Sequence, residues 1–226
     1  MVQAIERGME ILSLLREHPL GVTELSNQTL LPKATVHRLL KTFENYHWVE
    51  MEPVSKKYRL SWGILPYTKA YLASLDVRAI AEPYMALIRK ELQQSVNLYV
   101  AHGEHRVCVE RMAADKPLRS DIRVGTVYPI FRGAAGKIFS AYLKEEESQT
   151  DASIEIRRVG YVVTRGERVP DAASIAVPIF SFGNKLEAVL TISGPIGDYG
   201  EEVLPRYISV VVESGKKISA AMGAIF

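Results

Sequence analysis

The chain is poor in cysteine, because Cys108 is the only one among its 226 residues. A single cysteine excludes an internal disulfide and is compatible with the reducing conditions of the cytoplasm. Long apolar runs are also missing, since no uninterrupted stretch approaches the about 20 residues that span a bilayer. The first residues carry charges throughout and lack the layout of a secretory signal. We therefore expect a cytoplasmic protein with no membrane partner.

The formal net charge is only +2, but the surplus is placed unevenly. Residues 1–75 hold nine Lys or Arg against seven Asp or Glu, whereas the rest of the chain holds 19 of each. Within residues 30–60 the count is six basic against three acidic. A cluster of this size is usually a solvated face, so its meaning depends on the elements that carry it.

Apolar residues at helical spacing predict three helices in the first third of the chain. The first covers residues 3–17, the second is short and follows Thr23 as an N-cap, and the third covers residues 33–46, just after Pro32. The inward stripe of the third helix consists of Val36, Leu39, Leu40 and Phe43.

Two short strands, 48–52 and 58–60, flank a Pro/Ser/Lys turn and predict a β-hairpin. Three helices followed by a basic-tipped hairpin are the layout of a winged helix-turn-helix, in which one helix enters the major groove of DNA. The alternative is a packed helical subdomain whose polar face only meets water. His37 and His47 lack a cysteine or carboxylate partner at ligand spacing, so no metal site is predicted. The predicted DNA-contacting residues are Lys33, Thr35, His37, Arg38, Lys41, Lys56 and Lys57.

The middle of the chain predicts a helical connection. Residues 62–74 indicate a helix interrupted or kinked at Pro66, and Asp76 caps a longer helix over residues 77–94. A connection of this kind holds two domains more firmly than a Gly/Ser tether. The predicted inward stripe of the longer helix is Ile80, Tyr84, Leu87, Ile88 and Leu92.

From residue 95 the apolar period changes to two, which is typical of strands. Two strands over 95–112 surround the turn His102–His105, and Cys108 in the second strand is expected to be a small buried hydrophobe. The remaining predicted elements are an extended segment at 122–129, a helix at 137–146, strands at 161–163, 173–180 and 185–194, and a closing helix at 201–224. This pattern predicts an α+β domain with an antiparallel sheet and flanking helices.

The stretch GAAGKIFS at 133–140 has the look of a phosphate-binding loop, but its spacing excludes one. The P-loop pattern needs glycine where this chain has Phe131, and Ser or Thr where it has Ile138. Small residues and outward amides at a helix N-terminus suit a carboxylate equally well. A small acid is therefore the expected ligand of this stretch.

Several motifs together resemble the IclR (isocitrate-lyase regulator) family of bacterial transcription regulators. In the first third these are AIERGMEILSLL and LPKATVHRLLKTFENYHWVE followed by KKYRL; further on they are VGTVYPIFRGAAGKIFSAY, GYVVTRGE, SIAVPIF and LTISGP. The resemblance implies a DNA-binding domain at 1–61, a linker helix at 62–75, and a GAF-like effector-binding and oligomerisation domain at 76–226. The departures are His47 and Ser61, where the family usually has glycine, and a short segment between Ala141 and Ile154. His47 is then expected to adopt a left-handed backbone.

The resemblance also implies a small pocket for an organic acid. Thr191 and Ser193 are two apart on one strand, so their hydroxyls face the same side. From the residues alone, these Ser and Thr side chains equally suit bonds to the backbone. Thr164 stands where relatives often have an acid and Ser174 where some have cysteine, so the ligand's identity does not transfer. The implied effector-binding residues are Ala134, Ala135, Gly136, Thr164, Ala172, Ser174, Thr191 and Ser193.

The sequence therefore predicts a ligand-responsive, DNA-binding transcription regulator that forms a homodimer or homotetramer and uses no cofactor. Its partners would be double-stranded operator DNA and a small organic-acid effector, while the direction of regulation stays open. One alternative is a constitutive DNA-binding regulator with a degenerate sensor domain. Another is an enzyme, but the candidates for its site, Ser174, His102, His105 and Glu167, show no catalytic spacing.

Overall fold

The computed structural model of the protein describes residues 2–74, 76–116, 122–143 and 150–225. The chain divides into two compact units, Met1–Ser74 and Leu75–Phe226. The end of the predicted helix at 137–146 and part of the short segment after Ala141 lie outside the described residues.

The first unit has the predicted three helices and hairpin. Its elements are α1 (Gln3–Leu15), α2 (Val22–Thr29), α3 (Lys33–Asn45), β1 (Val49–Met51) and β2 (Tyr58–Leu60). The two strands pair antiparallel, and Leu20 bridges to Tyr58, so the hairpin is tied to the chain before α2. The core of this unit includes Ile11, Leu15, Leu25, Val36, Leu40, Val49 and Tyr58.

The start of α2 differs from the prediction. Thr23 lies inside the helix, and Gly21 is the extended residue that precedes it. The Glu24 carboxylate accepts a hydrogen bond of 2.6 Å from the Gly21 amide. A carboxylate at the third helical position satisfies an otherwise unpaired amide, and this contact fixes the helix start two residues earlier than Thr23 would.

The predicted interruption at Pro66 is in fact the beginning of a helix. A 3₁₀ turn at Trp62–Ile64 leads into α4 (Leu65–Ala73), and Pro66 occupies the first turn of α4. At that place the missing N–H of proline costs no helical hydrogen bond, so the helix starts there without a kink.

The second unit contains an antiparallel sheet of six strands in its described part, ordered β5-β4-β3-β8-β7-β6. The strands are β3 (Ser95–His102), β4 (His105–Met112), β5 (Val127–Pro129), β6 (Val162–Arg165), β7 (Ala172–Ser181) and β8 (Lys185–Pro195). The helices are α5 (Asp76–Leu92), α6 (Gly133–Leu143), α7 (Asp151–Val159) and α8 (Leu204–Ala221). The predicted α+β class is confirmed, and β6 extends through Thr164 and Arg165, two residues beyond the strand predicted at 161–163.

Helices cover both faces of this sheet. Helices α5 and α8 pack against one face, and α6 packs against the other. The inward stripe of α5 is Val77, Ala81, Met85, Ile88 and Leu92, so the prediction was right only for its last two residues. Leu87 is 64% exposed. The helix has two apolar stripes, one with Val77, Ala81 and Met85 and one with Ile80, Tyr84 and Leu87, and the sheet buries the first of them.

Helix α6 includes the glycine-rich stretch. It begins at Gly133, so residues 133–136 form its first turn and not a turn before it. A Cβ at Gly136 would overlap the carbonyl group of Phe131, and glycine therefore lets the helix start pack tightly on the preceding loop. Cys108 is fully buried, as predicted, and burial raises the pKa of its thiol to about 12. That thiol stays protonated at neutral pH.

Candidate nucleic-acid interface and ligand cavity

The outer face of α3 is basic and accessible. Lys33, His37, Arg38 and Lys41 are exposed, whereas Thr35 is half-buried. Lys41 forms an ion pair of 3.3 Å with Glu44, but its side chain is 73% exposed and the pair is a weak one. The inner face of the helix packs Val36 and Leu40 into the core. This arrangement suits a helix that presents cations to a nucleic acid.

The two lysines at the tip of the hairpin have different surroundings. Lys57 Nζ lies 3.1 Å from Glu24 Oε1 on α2, so this lysine ties the hairpin to the second helix. The hydrogen bond from the Gly21 amide N–H, and next the hydrogen bond from Lys57, hold the pKa of Glu24 below its usual value. Lys56 is exposed and has a left-handed backbone with φ of 56°. The contribution of each lysine to DNA binding stays a prediction.

A cleft of about 460 Å³ lies between α2, α3 and the hairpin. His37 lines it from α3, and Lys56 and Lys57 line it from the hairpin. Three of the seven predicted DNA-contacting residues therefore line one concave surface of the first unit, although they come from two separate elements.

A larger cavity of about 570 Å³ lies in the second unit. All the predicted effector-binding residues line it except Gly136, whose α-carbon faces the Phe131 carbonyl. The lining residues from the prediction are Ala134, Ala135, Thr164, Ala172, Ser174, Thr191 and Ser193. The structure brings these side chains together, and their ligand contacts stay a prediction.

Strand register aligns the hydroxyls on one face of the sheet. Thr164 pairs with Ser174, and Ser174 pairs with Ser193. Residues directly opposite each other in an antiparallel pair share a face, so the three side chains form a row. Ser174 donates its hydroxyl to the Ile192 carbonyl at 2.8 Å, the backbone bond that the sequence left open.

Asn97 supports the floor of the cavity from β3. It is fully buried, and its side-chain N–H₂ group donates to the hydroxyl oxygens of Thr191, at 3.4 Å, and of Ser193, at 3.3 Å. Because both oxygens accept from Asn97, their own O–H protons are free to point to another acceptor. The floor thus offers hydrogen-bond donors.

The sequence analysis missed several lining residues, among them the four with aromatic or cationic side chains: Tyr99, Arg106, Tyr128 and Arg168. Arg106 is only 4% exposed, and its guanidinium lies over the rings of Tyr99 and Tyr128 at 5.5 and 5.2 Å. One signal for it was available. Arg106 lies two residues before Cys108 on the same strand, so both side chains face the same side of the sheet, and the alternation of apolar residues already predicted that Cys108 is buried.

The mouth of the cavity carries balanced charges. Glu167 pairs with Lys137 of α6, Arg168 lies over the Tyr128 ring at 4.8 Å, and the exposed Asp171 also lines the cavity. Neither His102 nor His105 belongs to the cavity wall; Glu167 does, but its carboxylate pairs with Lys137, and the Ser174 hydroxyl donates to the Ile192 carbonyl. The geometry thus gives no support to a nucleophilic enzyme at this cavity.

Comparison with known proteins agrees with both units. Residues 4–53 match the family described as IclR helix-turn-helix domain. Residues 69–153 and 150–220 match the family described as bacterial transcriptional regulator IclR C-terminal. The chain belongs to the IclR family. It is a member of a family of DNA-binding transcription regulators, as its motifs indicated.

Individual relatives are distant but match over the whole length. The HTH-type transcriptional regulator XynR of Escherichia coli (strain K12) is 24% identical over an alignment of 247 positions, gaps included, which covers 99% of this chain and 98% of XynR. An IclR transcriptional regulator from Alicyclobacillus acidocaldarius has a similar structure, with a TM-score of 0.81, 25% identity, and coverage of 97% and 98% of the two chains.

A third similar protein was solved with a ligand. It is an IclR homolog from Microbacterium hydrocarbonoxydans complexed with 4-hydroxybenzoate. Its TM-score is 0.78 at 18% identity, with coverage of 98% of this chain and 100% of that one. At this identity the likeness shows a common fold. In the described part of the present chain, no helix has the length and apolar character to cross a membrane.

Proposed function

We propose that this regulator binds operator DNA through α3 and the hairpin tip, and that a small organic acid in the cavity of the second unit modulates this binding. One observation carries the proposal: all but one of the residues expected to bind an effector line a single cavity with a floor of hydroxyl donors. The ligand-bound homologue, which holds 4-hydroxybenzoate, supports an acid as the class of effector.

The proposed reading surface is the exposed face of α3. Lys33 at its start and Arg38 five residues later can contact phosphates or base edges, since cations on a helix in the major groove do both. We infer that His37, Arg38 and Lys41 reach the DNA, that Lys56 contacts the backbone, and that the half-buried Thr35 contributes least.

We also propose that the regulator acts as a homodimer or homotetramer, because two-fold symmetry matches a palindromic operator. Large apolar side chains on the first unit support an association surface: Met9, Trp62, Leu65 and Tyr67 are each more than half exposed. Sedimentation at micromolar concentration tests this, and a purely monomeric protein would refute it.

The test of the function combines DNA and ligand. Duplexes selected from a random library, or taken from the regulator's own gene neighbourhood, are titrated by fluorescence anisotropy with and without a panel of small carboxylic acids. At least one acid is expected to change the duplex affinity by about fivefold or more, the usual size of allosteric coupling. Failure of every acid to bind would favour the constitutive regulator instead.

Variants separate the two sites. Arg38→Ala and Lys33→Ala are expected to weaken specific duplex binding by about tenfold each, while the affinity for the acid stays unchanged, because these side chains lie in the first unit. Unchanged duplex affinity in both variants at physiological salt would refute α3 as the reading helix.

A further inference from the structure

Arg106 is a buried cation without a counter-ion among the described residues. Its Nη1 donates to the carbonyls of Pro129, at 2.8 Å, and Ile130, at 3.1 Å, while its Nε has no hydrogen-bond partner within the described ranges of the chain. Burial of a charge is costly unless the charge is paired and its hydrogen bonds are satisfied. Two carbonyls and two ring faces satisfy only part of a five-donor guanidinium.

The groups around Arg106 do not supply the missing charge. The rings of Tyr99 and Tyr128 lie against it, and burial raises the pKa of Tyr99 above its usual value, so that phenol supplies no negative charge at neutral pH. Arg168 and Arg132 lie near enough to lower the pKa of Arg106, after the larger effect of its own burial. The carboxylates at the cavity mouth are Glu167, which pairs with Lys137, and the exposed Asp171. The guanidinium of Arg106 therefore has no carboxylate in contact with it in the part of the chain that the structure describes.

The floor of the cavity has a different chemistry. Thr191 and Ser193 present neutral hydroxyls whose oxygens already accept from Asn97. Between this floor and Arg106, the lining consists largely of small or apolar side chains: Ile122, Ala134, Ala135, Ala172 and Ala173. A molecule that satisfies all three regions has a carboxylate, an apolar body and a second oxygen.

We propose that Arg106 is the residue that selects carboxylates in this cavity, and that the Thr191 and Ser193 hydroxyls bind a second oxygen of the same ligand. The effector class is then a small hydroxy- or oxo-monocarboxylic acid. This inference rests on the proposed function, which assigns the effector to this cavity, but it places the carboxylate at Arg106 and not at the amides where α6 begins. A guanidinium with open donors binds a carboxylate more strongly than neutral hydroxyls do.

The test compares acids with their uncharged amides. Calorimetry measures the binding of 4-hydroxybenzoate and 4-oxopentanoate, and of the corresponding amides, to the full-length protein. The wild type is expected to prefer each acid by about tenfold to 100-fold, since charge-assisted hydrogen bonds are the strong ones. Arg106→Gln is expected to abolish that preference while leaving the affinity for the amides nearly unchanged.

Matched variants distinguish selection from a structural role. Arg168→Gln removes a guanidinium at the cavity mouth and is expected to keep the preference for acids. Thr191→Val with Ser193→Ala is expected to remove the preference for 4-hydroxybenzoate over benzoate. If Arg106→Gln weakened acids and amides equally, Arg106 would only support the wall, and the inference would fail while the proposed function stood.

If Arg106→Gln does not fold, a structure of the wild-type protein with its ligand tests the same inference. A crystal structure with 4-hydroxybenzoate is expected to show the carboxylate within about 3 Å of the Arg106 guanidinium and the phenolic oxygen at the floor hydroxyls. The opposite orientation would overturn the inference but keep the proposed function. Absence of binding by every acid at 10 mM, about the weakest useful affinity, would overturn both.

Discussion

Gln94 and Gly194 meet behind the cavity floor, on the face of the sheet that α5 and α8 cover. A Cβ at Gly194 would overlap Gln94 Oε1, and Gly194 also lines the cavity from β8. Gln94 is fully buried, and its Nε2 donates to Asp198 at 3.0 Å and to the Tyr207 hydroxyl at 3.4 Å. Glycine at 194 thus leaves room for a fixed polar side chain directly beneath the cavity.

Gly194→Ala is expected to destabilise the second unit by about 1–3 kcal/mol, because the added methyl group overpacks a site whose neighbour is held by two hydrogen bonds. Urea denaturation measures the loss. Gly197→Ala is the control, since no heavy atom of the described residues lies within 4 Å of a Cβ there. Equal stability of the two variants would show that Gln94 moves aside freely.

The first turn of α6 offers a second test. Gly136→Ala is expected to cost about 2–4 kcal/mol, because the Cβ would meet the Phe131 backbone, which cannot move like a side chain. Gly133 differs, since it has φ of 68° and open space around it. Gly133→Asn should therefore be tolerated with a smaller loss, while Gly136→Asn should not. Thermal unfolding compares the four proteins, and similar losses at both positions would contradict this assignment.

His47 has the left-handed backbone that the sequence predicted, with φ of 57°. Its ring stacks on Trp62 with centroids 4.7 Å apart, and this contact offsets part of the backbone strain. His47→Ala loses the stacking but keeps the strain, whereas His47→Gly loses both. The glycine variant is expected to be about 1 kcal/mol more stable than the alanine variant. Denaturation midpoints that favour alanine would show that no strain exists at this position.

Local patterns sufficed for much of the fold. The helical spacing of Val36 and Leu40 and the alternation around Cys108 report burial directly, because each side chain's face follows from its place in a helix or strand. The stripe of α5 could not be assigned in the same way. Both Leu87 and Met85 lie on apolar stripes, and only the sheet that packs against the helix decides between them.

Part of the cavity lay beyond local reasoning. Asn97 meets Thr191 because β3 pairs with β8, and this register joins residues far apart in the chain. Arg106 meets the Pro129 carbonyl through the pairing of β4 with β5. The resemblance supplied the hydroxyl positions, but that a buried cation lacks a counter-ion among the described residues becomes visible only when its neighbours are in place.

The hairpin tip predicts unequal roles for its two lysines. Lys56→Gly removes a free cation and relieves a left-handed backbone at φ of 56°, so stability should be unchanged or higher while duplex affinity falls. Loss of one phosphate contact should reduce the slope of log affinity against log salt by about 0.9. Salt titrations of duplex binding check this. An unchanged slope would remove Lys56 from the interface.

A substitution on α2 that breaks the Glu24–Lys57 ion pair is expected to raise duplex affinity, whereas Lys56→Gly lowers it. Glu24→Gln keeps an oxygen for the Gly21 amide but releases Lys57, so duplex affinity should rise by about twofold to fivefold at low salt, as expected for one additional accessible cation. The double variant Glu24→Gln with Lys57→Ala is the control and should lose the gain. A gain that persists in the double variant would trace to the removed negative charge alone.

Asp198 should contribute to the acid sensitivity of the second unit. Hydrogen bonds from Gln94 and then from Lys116, at 2.7 Å, hold the pKa of its carboxyl below the usual value. A lowered native pKa means that the unfolded chain binds the proton first, so the stabilisation is complete above the ordinary aspartate pKa of about 3.9 and is lost as the pH falls through the lowered value. Asp198→Asn should flatten this part of the stability curve between about pH 5 and pH 2. Urea denaturation across that range measures it, and Lys116→Gln should remove a portion of the same dependence. Parallel curves for wild type and Asp198→Asn would show that the carboxyl has the same pKa in the folded and unfolded chain.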